Sequence, residues 1–114
     1  MGIPIIVSVP HCGTHISSDL VSNMRTEAIS PLRDTDFFVD QLYDFVGEIG
    51  IPMISSTYSR YVVDLNRSAN PKQTLYQDGR NATSVIPLCT FDGEPIYTSK
   101  QHHPNAQQVE SRID

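Results

Sequence analysis

Apolar residues run almost without a break over positions 3–9, with β-branched side chains prominent, until Pro10 ends the run. A short run of this kind suits a strand buried on both faces, as in an α/β sheet. Residues 18–33 are mixed, with Ser18 and Asp19 as candidate caps and Pro31 as a breaker, so only a short helix or turn is predicted there. Over 36–49 the pattern becomes helical. Phe38, Leu42, Phe45, Val46 and Ile49 fall at i, i+4, i+7, i+8 and i+11 as one stripe, Gly50 follows as a stop, and Asp34 or Thr35 stands where a cap belongs. Residues 51–55 and 60–65 then read as two more strands. Alternation in the second puts Arg60, Val62 and Asp64 on one face and Tyr61, Val63 and Leu65 on the other. From 68 to 90 periodicity disappears and Pro, Gly, Asn and Gln are scattered, which predicts a long loop facing substrate. Pro104 and Asn105 open a last helix with Ala106, Val109 and Ile113 on one face. The pattern meets no stop signal before Asp114, as in a truncated domain, and a sheet of about three strands leaves edges expected to pair with another copy of the chain.

Length and charge narrow the function classes. With 114 residues there is room for one domain, and no apolar run reaches the roughly 18 residues of a membrane span. Net charge is −5 with eight Lys plus Arg and no basic cluster, which argues against nucleic acid as a partner. Two cysteines, Cys12 and Cys89, make no disulfide framework or CxxC motif, so reduced thiols in the cytoplasm are expected.

Candidate chemistry gathers at three places. His11 follows the first strand, where open α/β sheets place ligand crevices, and reads either as a metal ligand or as a hydrogen-bonded turn residue. Asp34 and Asp36 at a helix start read either as metal ligands or as caps. Arg60, Asn66 and Arg67 form a cluster suited to carboxylates, because guanidinium pairs with them bidentately. The competing reading is an internal salt bridge from Asp64 to one of the arginines.

Together the segments Val9-Pro10-His11-x-Gly13-Thr14-His15-Ile16, Asp34-Thr35-Asp36, Leu42-Tyr43-Asp44-Phe45, Ser59-Arg60-Tyr61-Val62-Val63-Asp64-Leu65-Asn66-Arg67 and Phe91-Asp92-Gly93-Glu94-Pro95-Ile96-Tyr97 resemble the N-formylglutamate amidohydrolase family in order and spacing. That family is similar in turn to the zinc carboxypeptidases and aspartoacylases. The resemblance implies an α/β fold, a partial three-layer sandwich around a mostly parallel or mixed sheet, with residues 1–114 as the amino-terminal part of one domain. It implies zinc-dependent hydrolysis of the formamide bond of N-formyl-L-glutamate to glutamate and formate, a step of histidine degradation acting on a small anionic substrate. By the same resemblance His11 is a zinc ligand, Arg60 polarises the scissile carbonyl or binds a carboxylate, and Asn66 with Arg67 clamps a substrate carboxylate. Thr14 stands where the relatives' His-x-x-Glu pattern has its acid, so the acidic ligand falls to Asp34 or Asp36. A later histidine ligand, in an Asp-x-His-Ser segment, has no counterpart here; His102 and His103 do not match it and are expected in solvent. Glu94 is a weak candidate for the general base. The 114 residues by themselves are therefore expected to hold zinc weakly and to lack turnover. Two other readings share the half-site: a non-catalytic remnant of the family, and a related acyl-amino-acid amidohydrolase or carboxypeptidase.

Overall fold

A computed structural model describes residues 2–73 and 84–114. Val7–Val9 form β1, which pairs in parallel with β2, Met53–Ser55, in the register Val7 to Met53, Ser8 to Ile54 and Val9 to Ser55. Between them lie α1 (Ser18–Val21), α2 (Thr26–Ile29), α3 (Val39–Leu42) and a 3-10 segment, Asp44–Ile49; a second 3-10 turn, Lys100–His102, and α4 (Ala106–Ile113) follow. This is a small α/β arrangement with a two-stranded parallel sheet. Among the described residues no helix is long and apolar enough to cross a membrane.

Pairing outlasts the strands. The Ser56 amide donates to the Val9 carbonyl at 3.1 Å, the His15 amide to Thr57 at 3.1 Å, and the Ser59 amide to His15 at 2.9 Å. The chain after β1 is thereby laid against the chain after β2, with Gly13 at the closest approach. A Cβ at Gly13 would stand 2.2 Å from the Tyr58 carbonyl oxygen, and backbone cannot yield as a side-chain tip does. Gly13→Ala should therefore cost about 1–3 kcal/mol in urea unfolding; an unchanged midpoint would mean that this seam is loose.

The main core is built from residues outside the two strands. Met24, Ala28, Tyr61, Ile96 and Tyr97 are buried together, with Ile16, Leu20, Ile29 and Leu32 packed against them. An antiparallel bridge between Met24 and Tyr97, and the Arg25 amide donating to the Ile96 carbonyl at 2.7 Å, tie α1 and α2 to the chain after residue 95.

Several expectations are corrected. Of positions 3–9 only Val7–Val9 pair, and Ile3, Ile5 and Ile6 are exposed rather than buried on both faces. The single helix over 36–49 is two short pieces, because Phe38 sits in the left-handed region at φ 64° and Tyr43 (φ −96°, ψ 6°) ends α3. Its stripe is not covered: Phe38, Leu42, Phe45 and Ile49 are exposed and only Val46 is buried. Neither Asp34 nor Thr35 caps it; Phe38 is the residue before α3 and no side chain caps that end. Ser17, not Ser18 or Asp19, precedes α1. Residues 60–65 are no strand. The Val62 amide donates back to the Ser59 carbonyl at 2.9 Å, so the segment turns like a helix.

Other expectations are met. Gly50 ends the 3-10 segment at φ 78°. The last helix forms as read, with Asn105 and Gln108 exchanging side-chain and backbone hydrogen bonds in a capping box. Part of the long loop, residues 74–83, lies outside the described residues; 68–73 and 84–88 carry neither helix nor strand.

Candidate active site at the carboxyl end of β1

His11 stands two residues beyond β1, held by the Asp36 amide donating to its carbonyl at 2.9 Å. Its Nε2 lies 2.7 Å from Asp64 Oδ1, and its Nδ1 faces the Asp36 carboxylate at 3.8 Å. The expected proximity of His11 to one acid of the 34–36 segment is therefore present, through Asp36.

Asp64 is the hub. Its side chain is 1% exposed. One oxygen meets His11 and accepts from the Asn66 amide at 2.9 Å; the other accepts from Arg60 Nη2 at 2.9 Å and lies 3.8 Å from Arg67 Nη1. Burial pushes its carboxyl up, but the His11 hydrogen bond, the Asn66 amide and the Arg60 charge outweigh it and hold the pKa at about 2. Near neutral pH it is a carboxylate and can only accept, so His11 Nε2 carries the proton between them. In the neutral imidazole the lone pair is then on Nδ1, the side facing Asp36.

A turn over residues 60–62 brings Arg60 against Asp64, four residues on; the Asp64 amide then donates to the Val85 carbonyl at 2.7 Å, and Arg67 approaches the same carboxylate from three residues further. The salt bridge from Asp64 to an arginine that the sequence offers is present and involves both arginines, with His11 added. The arginines do not extend open guanidinium groups into a crevice, since their side chains are 6% and 5% exposed. The cause is Asp64, whose buried charge needs them.

Asp34 is engaged elsewhere. Its Oδ2 accepts from the Tyr61 hydroxyl and from the Phe91 amide, each at 2.9 Å, and its carbonyl accepts from Arg60 Nη1 at 3.1 Å. Burial, with the hydrogen bond and charge of Asp34, raises the Tyr61 phenol above its usual range, so it stays a donor. Asn66 is exposed, and its carbonyl takes a hydrogen bond from Arg67 Nη1 at 2.8 Å.

The remaining histidines and Glu94 stand apart. His15 continues the parallel pairing opposite Tyr58, their rings 5.3 Å apart. His102 bonds to Thr98 and Ser99 in an exposed turn, and His103, expected in solvent, is partly buried against Tyr97. Glu94 pairs with Arg25 at 3.5 Å and lines a separate cavity of about 260 Å³ with Arg33 and Thr90. Among the described residues no three His, Cys, Asp or Glu side chains gather as a metal cluster.

A histidine at a strand end is thus wired through a buried carboxylate to two arginines. Comparisons with known proteins give the chain a family. The family model of N-formylglutamate amidohydrolase matches residues 3–114, so the chain belongs to that family. It is 40% identical over 95 residues to N-formylglutamate deformylase of Pseudomonas aeruginosa and 38% identical over 95 residues to N-formylglutamate deformylase of Pseudomonas putida. Each match covers 83% of this chain and 34% of the relative, so the chain spans about a third of the length of these curated relatives. No solved structure matches it.

Proposed function

We propose that the chain carries part of the active site of a zinc-dependent N-formyl-L-glutamate deformylase, a hydrolase releasing formate and glutamate. The observation that carries this reading is the Asp64 hub, which gathers His11, Arg60 and Arg67 at one strand end. The printed names of the two relatives support the substrate. We further propose that the parallel β1–β2 pair and its helices belong to a three-layer sandwich like that of the zinc carboxypeptidases; a histidine just past a parallel strand supports this.

The donors near β1 fit a metal in part. His11 Nδ1 and Asp36 stand 3.8 Å apart, near the spacing of about 3.3 Å for two ligands each about 2 Å from one tetrahedral ion. Asp34 is the weaker choice, because its carboxylate oxygen already accepts two hydrogen bonds. His11 and Asp36 would thus hold zinc, which when bound supplies a Lewis acid for the formyl oxygen and lowers the pKa of water. Asp64 fixes the tautomer and the ring orientation of His11. Arg60, its guanidinium held in place by Asp64 and the Asp34 carbonyl, offers fixed positive charge to the oxyanion that forms on the formyl group. Asn66 and Arg67 take the glutamate carboxylate, the Arg67 guanidinium turning to it from the Asn66 carbonyl and Asp64.

Calorimetric titration of the chain with N-formyl-L-glutamate tests the carboxylate clamp. Arg67→Ala should weaken binding about 10- to 100-fold, the worth of a charge-assisted hydrogen bond, and N-formyl-L-glutamine, with one carboxylate fewer, should bind less well than the dianion. Equal affinity of variant and parent would remove Arg67 from the site.

A further inference from the structure

We propose that Phe91 and Asp34 are positioning residues for Arg60: the Phe91 ring sets the plane of the guanidinium, and the Asp34 carboxylate latches the turn that carries Phe91. The inference rests on the role given to Arg60 in the proposed function.

The turn is built to hold Phe91 still. The Thr90 amide donates to the Glu94 carbonyl at 2.8 Å, the Gly93 amide to the Thr90 carbonyl at 2.9 Å, and the Glu94 amide to Thr90 Oγ1 at 3.2 Å. Thr90 is fully buried, and Gly93 takes the left-handed φ of 85° that the reversal needs. Phe91 sits at the tip, half exposed, with the Arg60 Cζ over its ring 4.5 Å from the centroid.

Asp34 joins this turn to Arg60 twice. Its carboxylate accepts the Phe91 amide while also accepting the hydroxyl of Tyr61, a core residue, and its carbonyl accepts Arg60 Nη1. Asp34 reaches both partners from a left-handed backbone at φ 59°, which aspartate tolerates better than most residues. Arg60 thus donates to Asp64 through one nitrogen and to the Asp34 carbonyl through another, while its Cζ lies over the Phe91 ring. A ring on the face uses none of the in-plane N–H groups. It can therefore fix the plane without competing for the donors that a developing oxyanion needs, and a preset plane is what makes such donors effective.

NMR of the chain with labelled arginine reads the stacking directly. The Arg60 Nε–H proton should be shifted upfield by the ring current, and the shift should vanish in Phe91→Leu and return in Phe91→Tyr. It should vanish as well in Asp34→Ala, where the phenyl ring is still present but unlatched, and persist in Asp34→Asn, whose amide oxygen can accept both bonds that Oδ2 takes. In the Pseudomonas aeruginosa deformylase carrying this chain in place of its own matching part, kcat should fall about tenfold in Phe91→Leu with KM little changed, and recover in Phe91→Tyr. A ring-current shift absent from the parent or retained in Asp34→Ala, or Phe91→Leu turning over formylglutamate as the parent does, would overturn the proposal. If the parent exchange protein does not turn over formylglutamate, the functional reading falls, and the chemical shifts alone decide the latch.

Discussion

Asp64→Ala should lower the stability of the chain by about 3–5 kcal/mol, because it leaves two nearly buried guanidinium groups and the His11 N–H without their shared acceptor. For a domain of this size that corresponds to a fall in melting temperature of at least about 10 °C. Asp64→Asn should lose less, since the amide oxygen still accepts one of these bonds, while its NH2 group meets a donor at the other position. Urea unfolding followed by circular dichroism measures both. A loss below about 1 kcal/mol for the alanine variant would mean that the arginines find water or other acceptors, and the hub would then be a surface ion pair of ordinary worth.

Arg60→Ala should cut the turnover number about 10²–10³-fold with little change in KM, as removal of a preorganised oxyanion donor does. A suitable vehicle is the Pseudomonas aeruginosa deformylase with the part that corresponds to residues 3–114 replaced by this chain. Arg60→Lys should not restore the rate, because an ammonium cannot bridge Asp64 and the Asp34 carbonyl while presenting a flat face to Phe91. Arg67→Ala in the same background should raise KM more than it lowers kcat. An Arg60 variant whose loss lies wholly in KM would instead make Arg60 a carboxylate binder.

Local chemistry was the most legible part of the sequence. Asn105 and the apolar spacing of Ala106, Val109 and Ile113 announce α4, and they need nothing distant to do so. The stripe from Phe38 to Ile49 is legible as a pattern, yet it does not become one helix. An amphipathic helix draws most of its stability from packing of its apolar face, and Leu42, Phe45 and Ile49 meet no cover among the described residues. Residues 60–65 misled for another reason. Their β-branched and aromatic content suits a strand, whereas the spacing of Arg60, Asp64 and Arg67 is that of a turn, and the charges prevail because the buried Asp64 requires all its partners on one side. His11 was legible from its place after a strand. Asp64 as its partner was not, because a contact across 53 positions leaves no local periodicity. The same holds for the Phe91 amide on Asp34, 57 positions away.

Formate release from N-formyl-L-glutamate by the exchanged deformylase decides whether these residues form a working half-site. Turnover should reach about 1 per second or more and be abolished by His11→Ala and by a chelator, since His11 Nδ1 and Asp36 are assigned to the metal. An inactive exchange protein that folds like its active parent, or one in which His11→Ala retains the full rate, would contradict that assignment.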